Sequence, residues 1–192
     1  MPNTPIKAAV CTAFGEPLVI ETLHLAAPGP GEIQVKLDAV AICHSDITFA
    51  DGGWGGDLPA VYGHEAAGRV THLGDGVTDL AVGDPVLVSL IRACGTCPSC
   101  STGRPVLCTT PPAEPAPLAR PDGTPVVQSM NCGAFAERVV VDTDEALAAA
   151  PRTPRGAAAP SRSRTCESRR KRRRLVFARP LDVCTTHGWE LV

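Results

Sequence analysis

Fifteen residues, CGTCPSCSTGRPVLC at positions 94–108, contain Cys94, Cys97, Cys100 and Cys108. The spacing is C-x2-C-x2-C-x7-C. Two-residue gaps let a tight turn aim neighbouring sulfurs at one ion, and Gly95 and Pro98 suit such turns. The longer gap lets the chain return with a fourth sulfur. Four thiolates around zinc form a closed tetrahedron with no position left for substrate, so an ion there steadies a lobe and does not react. Disulfides conflict with the reducing compartment inferred below. A thioredoxin-type pair needs one C-x-x-C beside a βαβ pattern, which this stretch does not have. An iron–sulfur cluster stays open as a rival, because C-x2-C-x2-C also occurs in ferredoxins. Thr109, however, stands where a proline would follow the fourth cysteine.

Two other stretches carry chemistry, AICHSDITF (41–49) and GHEAAGRVTHLGDGV (63–77). Cys43 and His64 offer one soft and one borderline ligand to a second zinc. A metal-bound imidazole usually passes its other N–H to a carboxylate, and Asp46 is the candidate for that role toward His64. Glu65 either approaches the ion or stays one layer out. Taken singly, each residue has a plainer reading: a lone cysteine is usually a buried small hydrophobe, and a lone histidine on a strand is usually hydrogen-bonded structure. The four-cysteine loop just downstream strengthens the joint reading.

The elements that must position these residues are mostly strands. EIQVKLDAV (32–40) alternates, with Ile33, Val35 and Leu37 on one face and Gln34, Lys36 and Asp38 on the other, the period of a half-buried strand. Residues 6–11 and 18–24, AGRVTHL (67–73), DPVLVSL (84–90) and AFAERVVVD (134–142) are further strand candidates. PGPGE before the first of these alternating runs and Gly74-Asp75-Gly76 are turn chemistry. A short helix is expected at HSDITFA (44–50). The Pro-rich residues 109–127 read as a surface loop. Short strands with Gly and Pro punctuation indicate a small barrel or sandwich.

Gly63-His64-Glu65, Gly68, Gly74 and Val77 match G-H-E-x2-G-x5-G-x2-V, a pattern of the zinc-containing alcohol dehydrogenases of the medium-chain dehydrogenase/reductase family. With CHSD and the four-cysteine loop in the same order and spacing, residues 6 to about 142 resemble that family's N-terminal catalytic domain. The resemblance implies a mainly β fold, a GroES-like partly open β-barrel with short helices, over residues 1–144. It implies Cys43 and His64 as catalytic zinc ligands and Cys94, Cys97, Cys100 and Cys108 as the structural zinc site. Glu65 becomes the acidic neighbour of the catalytic metal, Asp46 orients His64, Ser45 relays the alcohol proton, and His44 faces the cofactor pyrophosphate. Some members carry a histidine at the position of Thr48 that extends the relay. The implied chemistry is oxidation of a small alcohol to an aldehyde or ketone, eased by zinc as a Lewis acid, with hydride passing to NAD or NADP.

Two features depart from that family. No G-x-G-x-x-G dinucleotide fingerprint occurs in these 192 residues. The family's third catalytic zinc ligand, a cysteine, falls beyond the matching region, and Cys132, Cys166 and Cys184 stand in contexts that do not match it. A two-ligand site should hold zinc weakly, and the chain alone is expected to be inactive. Charge also breaks along the chain: 7 Lys and Arg against 17 Asp and Glu through Ala150, then 11 against 3. The basic part contains RRKRRR at 169–174 and is read, as residues 145–192, as a disordered tail too charged and too low in complexity to bury a core. A shifted reading frame accounts for it better than an evolved basic module. Weak, salt-sensitive nucleic-acid binding is its other expected property. The N-terminus lacks a basic region followed by a long apolar run, and no apolar stretch spans a bilayer. A cytoplasmic protein without membrane contact is the expectation.

Overall fold

The computed structural model describes residues 3–111, 117–148 and 177–178. In chain order its elements are β1 (Thr4–Cys11), β2 (Val19–Leu25), β3 (Glu32–Ala41), α1 (His44–Ala50), β4 (Ala60–Val61), β5 (Glu65–Leu73) and β6 (Pro85–Ser89). The short helix α2 (Pro98–Ser101) follows, then β7 (Leu118–Ala119), β8 (Val127–Gln128), β9 (Arg138–Asp142), β10 (Ala146–Ala148) and β11 (Phe177–Ala178). One sheet runs β7-β2-β1-β4-β8. The other runs β10-β6-β5-β3-β11, with β9 also paired to β3. Residues 135–137 join the two. Ala9 N–H donates to the Phe135 carbonyl at 2.8 Å, Glu137 N–H to the Lys7 carbonyl at 3.0 Å, and Leu37 N–H to the Glu137 carbonyl at 3.0 Å. Two sheets sharing that seam curl into a partly open barrel. Its core includes Ile6, Val10, Leu23, Ile33, Val61 and Phe135. Burial of such side chains stabilises by about 1.5–3 kcal/mol each.

β3 occupies the alternating stretch, β1, β2, β5, β6 and β9 occupy the further strand candidates, and α1 covers the expected helix. Three details differ from the sequence reading. Gln34 lies on the polar face of β3 yet is only 2% exposed, because Thr71, His72 and Arg138 close over its amide: its Oε1 accepts from Thr71 Oγ1 at 3.0 Å, and His72 Nδ1 lies at 3.1 Å. Residues 109–127 are not wholly a surface loop. Leu118 and Val126 are buried, β7 pairs with β2, and Arg120 grips Glu21 through two N–H donors at 2.8 Å. Proline and alanine around those two apolar residues hide the signal. The sheet also passes the boundary expected at residue 144, since Ala146–Ala148 pair antiparallel with Val88–Val86. Alanines carry little strand propensity of their own, so this strand exists through its partner. The tail expected at 145–192 lies outside the described residues beyond Ala148, apart from the backbone pairing of Phe177 with Ala41 and Ala178 with Val40. Among the described residues no helix is long and apolar enough to cross a membrane.

Glu145 sits where β9 turns into β10. It is 2% exposed, its Oε2 accepts the Asp142 N–H at 3.2 Å, and its Oε1 has no hydrogen-bond partner among the described residues. Burial, reinforced by the Asp142 charge, pushes its carboxyl up to about 8. The folded state therefore keeps a proton that the unfolded state releases near the ordinary value of 4.5. Below that value both states are protonated and the group is neutral toward stability. As pH rises toward about 8, folding must retain a proton the unfolded chain has lost, so stability falls across this window. Glu145→Gln should remove the slope. Urea midpoints measured from pH 4.5 to 8 are expected to diverge in favour of the variant as pH rises; parallel profiles would contradict this account.

Candidate metal centres

The register of β3 and β5 brings the first centre together. Val40 stands opposite Ala66 in this antiparallel pair, and continuing the ladder sets the start of α1 beside the Gly63–His64 approach to β5. Cys43 is the N-cap of α1. Asp46, three residues on and 1% exposed, accepts the Cys43 N–H at 2.9 Å through Oδ2. Its Oδ1 accepts the Gly63 N–H at 3.0 Å and lies 3.1 Å from His64 Nδ1. Gly63 can present that N–H because its φ is +93°, and a Cβ there would lie 2.9 Å from the Phe135 nitrogen. A carboxylate only accepts, so His64 Nδ1 carries the proton and Nε2 turns its lone pair the other way.

That lone pair faces the other donors. One ligand atom each from Cys43, His64 and Glu65 lies within 4.8 Å of the others. His64 is buried, Cys43 partly buried and Glu65 exposed. The Ser45 hydroxyl is 3.5 Å from His64 Nε2. Hydrogen bonding by Ser45 lowers the Cys43 thiol toward thiolate, with His64 adding to the effect. The Asp46 hydrogen bond raises the His64 imidazole against the opposing effect of burial. One thiol, one neutral imidazole nitrogen and one carboxylate make a set that a divalent zinc-like ion fits, and three protein ligands would leave it a fourth position for another group. Thr48 Oγ1 donates to the His44 carbonyl at 3.1 Å, so this hydroxyl is engaged with its own helix. His44 is exposed on the first turn of α1. Cys132 does not join the trio: it is fully buried, and burial raises its thiol, with Glu145 and Asp46 adding to the shift. Cys166 and Cys184 lie outside the described residues.

The second centre is the loop of Cys94, Cys97, Cys100 and Cys108. All four are free thiols whose sulfurs lie within 4.8 Å of one another, and Cys97 and Cys108 sulfurs are 3.9 Å apart. Sulfurs at the zinc–thiolate distance from one tetrahedral ion are separated by about 3.8 Å. A multi-iron cluster would spread its ligands more widely, so the spacing suits a single ion. Local donors prepare the site. Thr110 Oγ1 donates to Cys94 Sγ at 3.0 Å and Cys97 N–H donates to it at 3.2 Å. These bonds, the Thr110 one foremost, hold the Cys94 thiol down to about 5. The Cys100 backbone lowers Cys97, while burial and the neighbouring Cys97 push Cys100 up to about 12. Four sulfurs cannot all ionise together without a cation among them. The cysteine spacing pointed to these four residues as a group; nothing in it pointed to Thr110.

Residues 29–152 match the family described as the alcohol dehydrogenase GroES-like domain. Over 158 residues the chain is 34% identical to a CYP enzymes assisting alcohol dehydrogenase of Catharanthus roseus, covering 77% of this chain and 42% of that protein. Over 101 residues it is 46% identical to the putative alcohol dehydrogenase D of Mycobacterium tuberculosis, covering 53% of this chain and 27% of that protein. The solved structure of an alcohol dehydrogenase zinc-binding domain protein from Burkholderia ambifaria superposes with a TM-score of 0.71 at 31% identity, over 79% of this chain and 44% of that one. The chain thus spans less than half the length of each of these relatives. With more than half of its residues inside the family match, the chain belongs to the alcohol dehydrogenase GroES-like domain family.

Proposed function

We propose that this chain is the metal-holding, substrate-activating part of a zinc-dependent alcohol dehydrogenase that oxidises a small alcohol with NAD or NADP. The observation that carries the reading is the convergence of Cys43, His64 and Glu65 beside the Ser45 hydroxyl, with Asp46 behind the imidazole. Cys43, His64 and Glu65 would hold the catalytic zinc, which supplies Lewis-acid polarisation of an alcohol oxygen when bound. Asp46 fixes the ring plane and tautomer of His64, so its Nε2 needs no reorientation. Ser45, whose hydroxyl is 3.5 Å from His64 Nε2, would take up the alcohol proton and pass its own on. The Thr48 hydroxyl already donates to the His44 carbonyl, so its own proton is not free for that relay. His44, exposed at the helix start, is the group proposed to meet the cofactor phosphates. Cys94, Cys97, Cys100 and Cys108 would hold a second, structural zinc.

Residues 1–192 carry no dinucleotide fingerprint, so we propose that the chain alone binds metal without turning over alcohol. Elemental analysis of the freshly purified chain should find close to two zinc ions. Mild chelation should remove one quickly, and Cys43→Ser should abolish the labile ion and leave the other. Loss of the retained ion in Cys43→Ser would contradict two separate centres, and iron in place of zinc would change the identity of the second. Alcohol-dependent reduction of NAD or NADP by the chain alone would refute its proposed inactivity.

Removing the Asp46 side chain strands the Gly63 and Cys43 N–H groups and His64 Nδ1. Asp46→Ala should cost on the order of 3 kcal/mol of stability by chemical denaturation. Asp46→Asn, which keeps an acceptor oxygen, should be milder in stability yet weaken the labile metal about 10–100-fold in a competitive titration. Unchanged metal affinity in Asp46→Asn would remove Asp46 from the centre.

A further inference from the structure

The cysteine lobe has no apolar anchor. From Ser89 through Pro111 no residue is buried, although the barrel beneath is densely packed. Among the described residues, the polar contact that ties the lobe to the barrel comes from one side chain. Arg92, two residues before the first cysteine, donates from Nε to the Asp142 carboxylate at the end of β9. Its Nη1 donates to the carbonyls of Thr110 at 2.8 Å and Pro111 at 2.6 Å, just past the last cysteine. One guanidinium thus ties the entry of the lobe, its exit and the barrel together. Its side chain is 14% exposed and the Asp142 side chain 24%. A planar fork with several donors meets three acceptors in fixed directions, which an ammonium cannot reproduce.

The exit segment so held contains Thr110, whose hydroxyl donates to Cys94 Sγ. We propose that Arg92 is a positioning residue for the four-cysteine metal site: by clamping the Thr110 and Pro111 carbonyls against Asp142, it keeps the Thr110 hydroxyl on the Cys94 sulfur and slows loss of the metal. The inference rests on the reading that Cys94, Cys97, Cys100 and Cys108 hold an ion. Among the described residues Arg92 makes no hydrogen bond to a cysteine sulfur, although its charge lies near enough to Cys108 to be felt there. It acts through Thr110, and that separates it from the ligands themselves.

The test uses the full chain in a Cys43→Ser background, so that only the lobe ion is counted. Zinc release to a chromogenic chelator, and the thiolate-to-metal absorption of the cobalt-substituted protein, are compared across variants. Arg92→Ala should release zinc about 10–100-fold faster and shift the cobalt spectrum. Arg92→Lys should recover only part of the difference. Thr110→Val should release faster too, and the double variant should be no faster than the faster single one, because both changes break one chain of contacts. Arg120→Ala, which breaks the Arg120–Glu21 pair on the other sheet, serves as the control and should leave release unchanged. Wild-type release and spectrum in Arg92→Ala, or effects that multiply in the double variant, would overturn the proposal. If Arg92→Ala does not fold, Asp142→Asn and Thr110→Val each remove one link, and unchanged release in both would overturn it equally. A Cys43→Ser chain with no metal on the four cysteines would instead defeat the reading of the site itself, an outcome visible before any Arg92 variant is made.

Discussion

One buried carboxylate organises the reactive end of this domain. Asp46 receives the N–H of Cys43, the N–H of Gly63 and the proton on His64 Nδ1. These groups belong to the helix start after β3 and to the approach to β5, segments separated by about twenty residues of chain. A carboxylate buried without partners would be costly, and this one is tolerable because its donors are fixed around it. The dependence is mutual. The donors orient the acid, and the acid sets where the thiol and the imidazole meet. If the β3–β5 register slipped by one residue, the face of every side chain would change and His64 would leave Cys43.

Register is held by devices away from the site. β3 pairs with β5 on one side and β9 on the other, with irregularities between Gln34 and Val35 and between Leu37 and Ala39. These shifts let Val40 and Ala41 enter the core after Lys36 and Asp38 have faced solvent. Gly68 allows the close approach this needs, since a Cβ there would lie 2.2 Å from the Lys36 carbonyl oxygen. Cys43 and His64 thus sit just past the ends of bent, tightly paired strands, so the donor atoms can keep fixed separations before any ion arrives.

Much of this was legible in the sequence, and the reasons are local. Alternation exposed β3 because one face of it is apolar, and short apolar runs between Gly and Pro turns exposed β5 and β9. The four cysteines were legible because ligand spacing is a short-range property. Asp46 was legible as a partner of His64 from the chemistry of imidazole ligands alone. The rest depends on tertiary contact. Gln34 reads as a solvent residue and is buried by Thr71, His72 and Arg138, which arrive from two other strands. Ala146–Ala148 have no strand signature and become a strand only on β6. Leu118 and Val126 are single apolar residues in a Pro-rich stretch, and their burial follows from β2 and β4 lying beside them. Arg92 shows no pattern at all, because its three acceptors come from positions 110, 111 and 142.

The two ends of the domain use the same short motif with opposite outcomes. At α1, the Cys43 side chain accepts the N–H three residues on and Asp46 returns the bond to the Cys43 N–H. At the turn of Thr143–Glu145, the Asp142 side chain accepts the Glu145 N–H and Glu145 returns the bond to the Asp142 N–H. Each is a reciprocal cap that closes a single turn. In the first, the third-position acid has spare acceptor capacity and spends it on Gly63 and His64, so the carboxylate is fully partnered. In the second, it is the capping acid, Asp142, that reaches a cation, Arg92, while the third-position acid is left with one oxygen unpartnered. Burial acts on both acids alike, and the difference between them is the number of donors aimed at each. That is why the Asp46 carboxylate is tied in place behind His64, whereas Glu145, short of donors, is driven toward holding a proton.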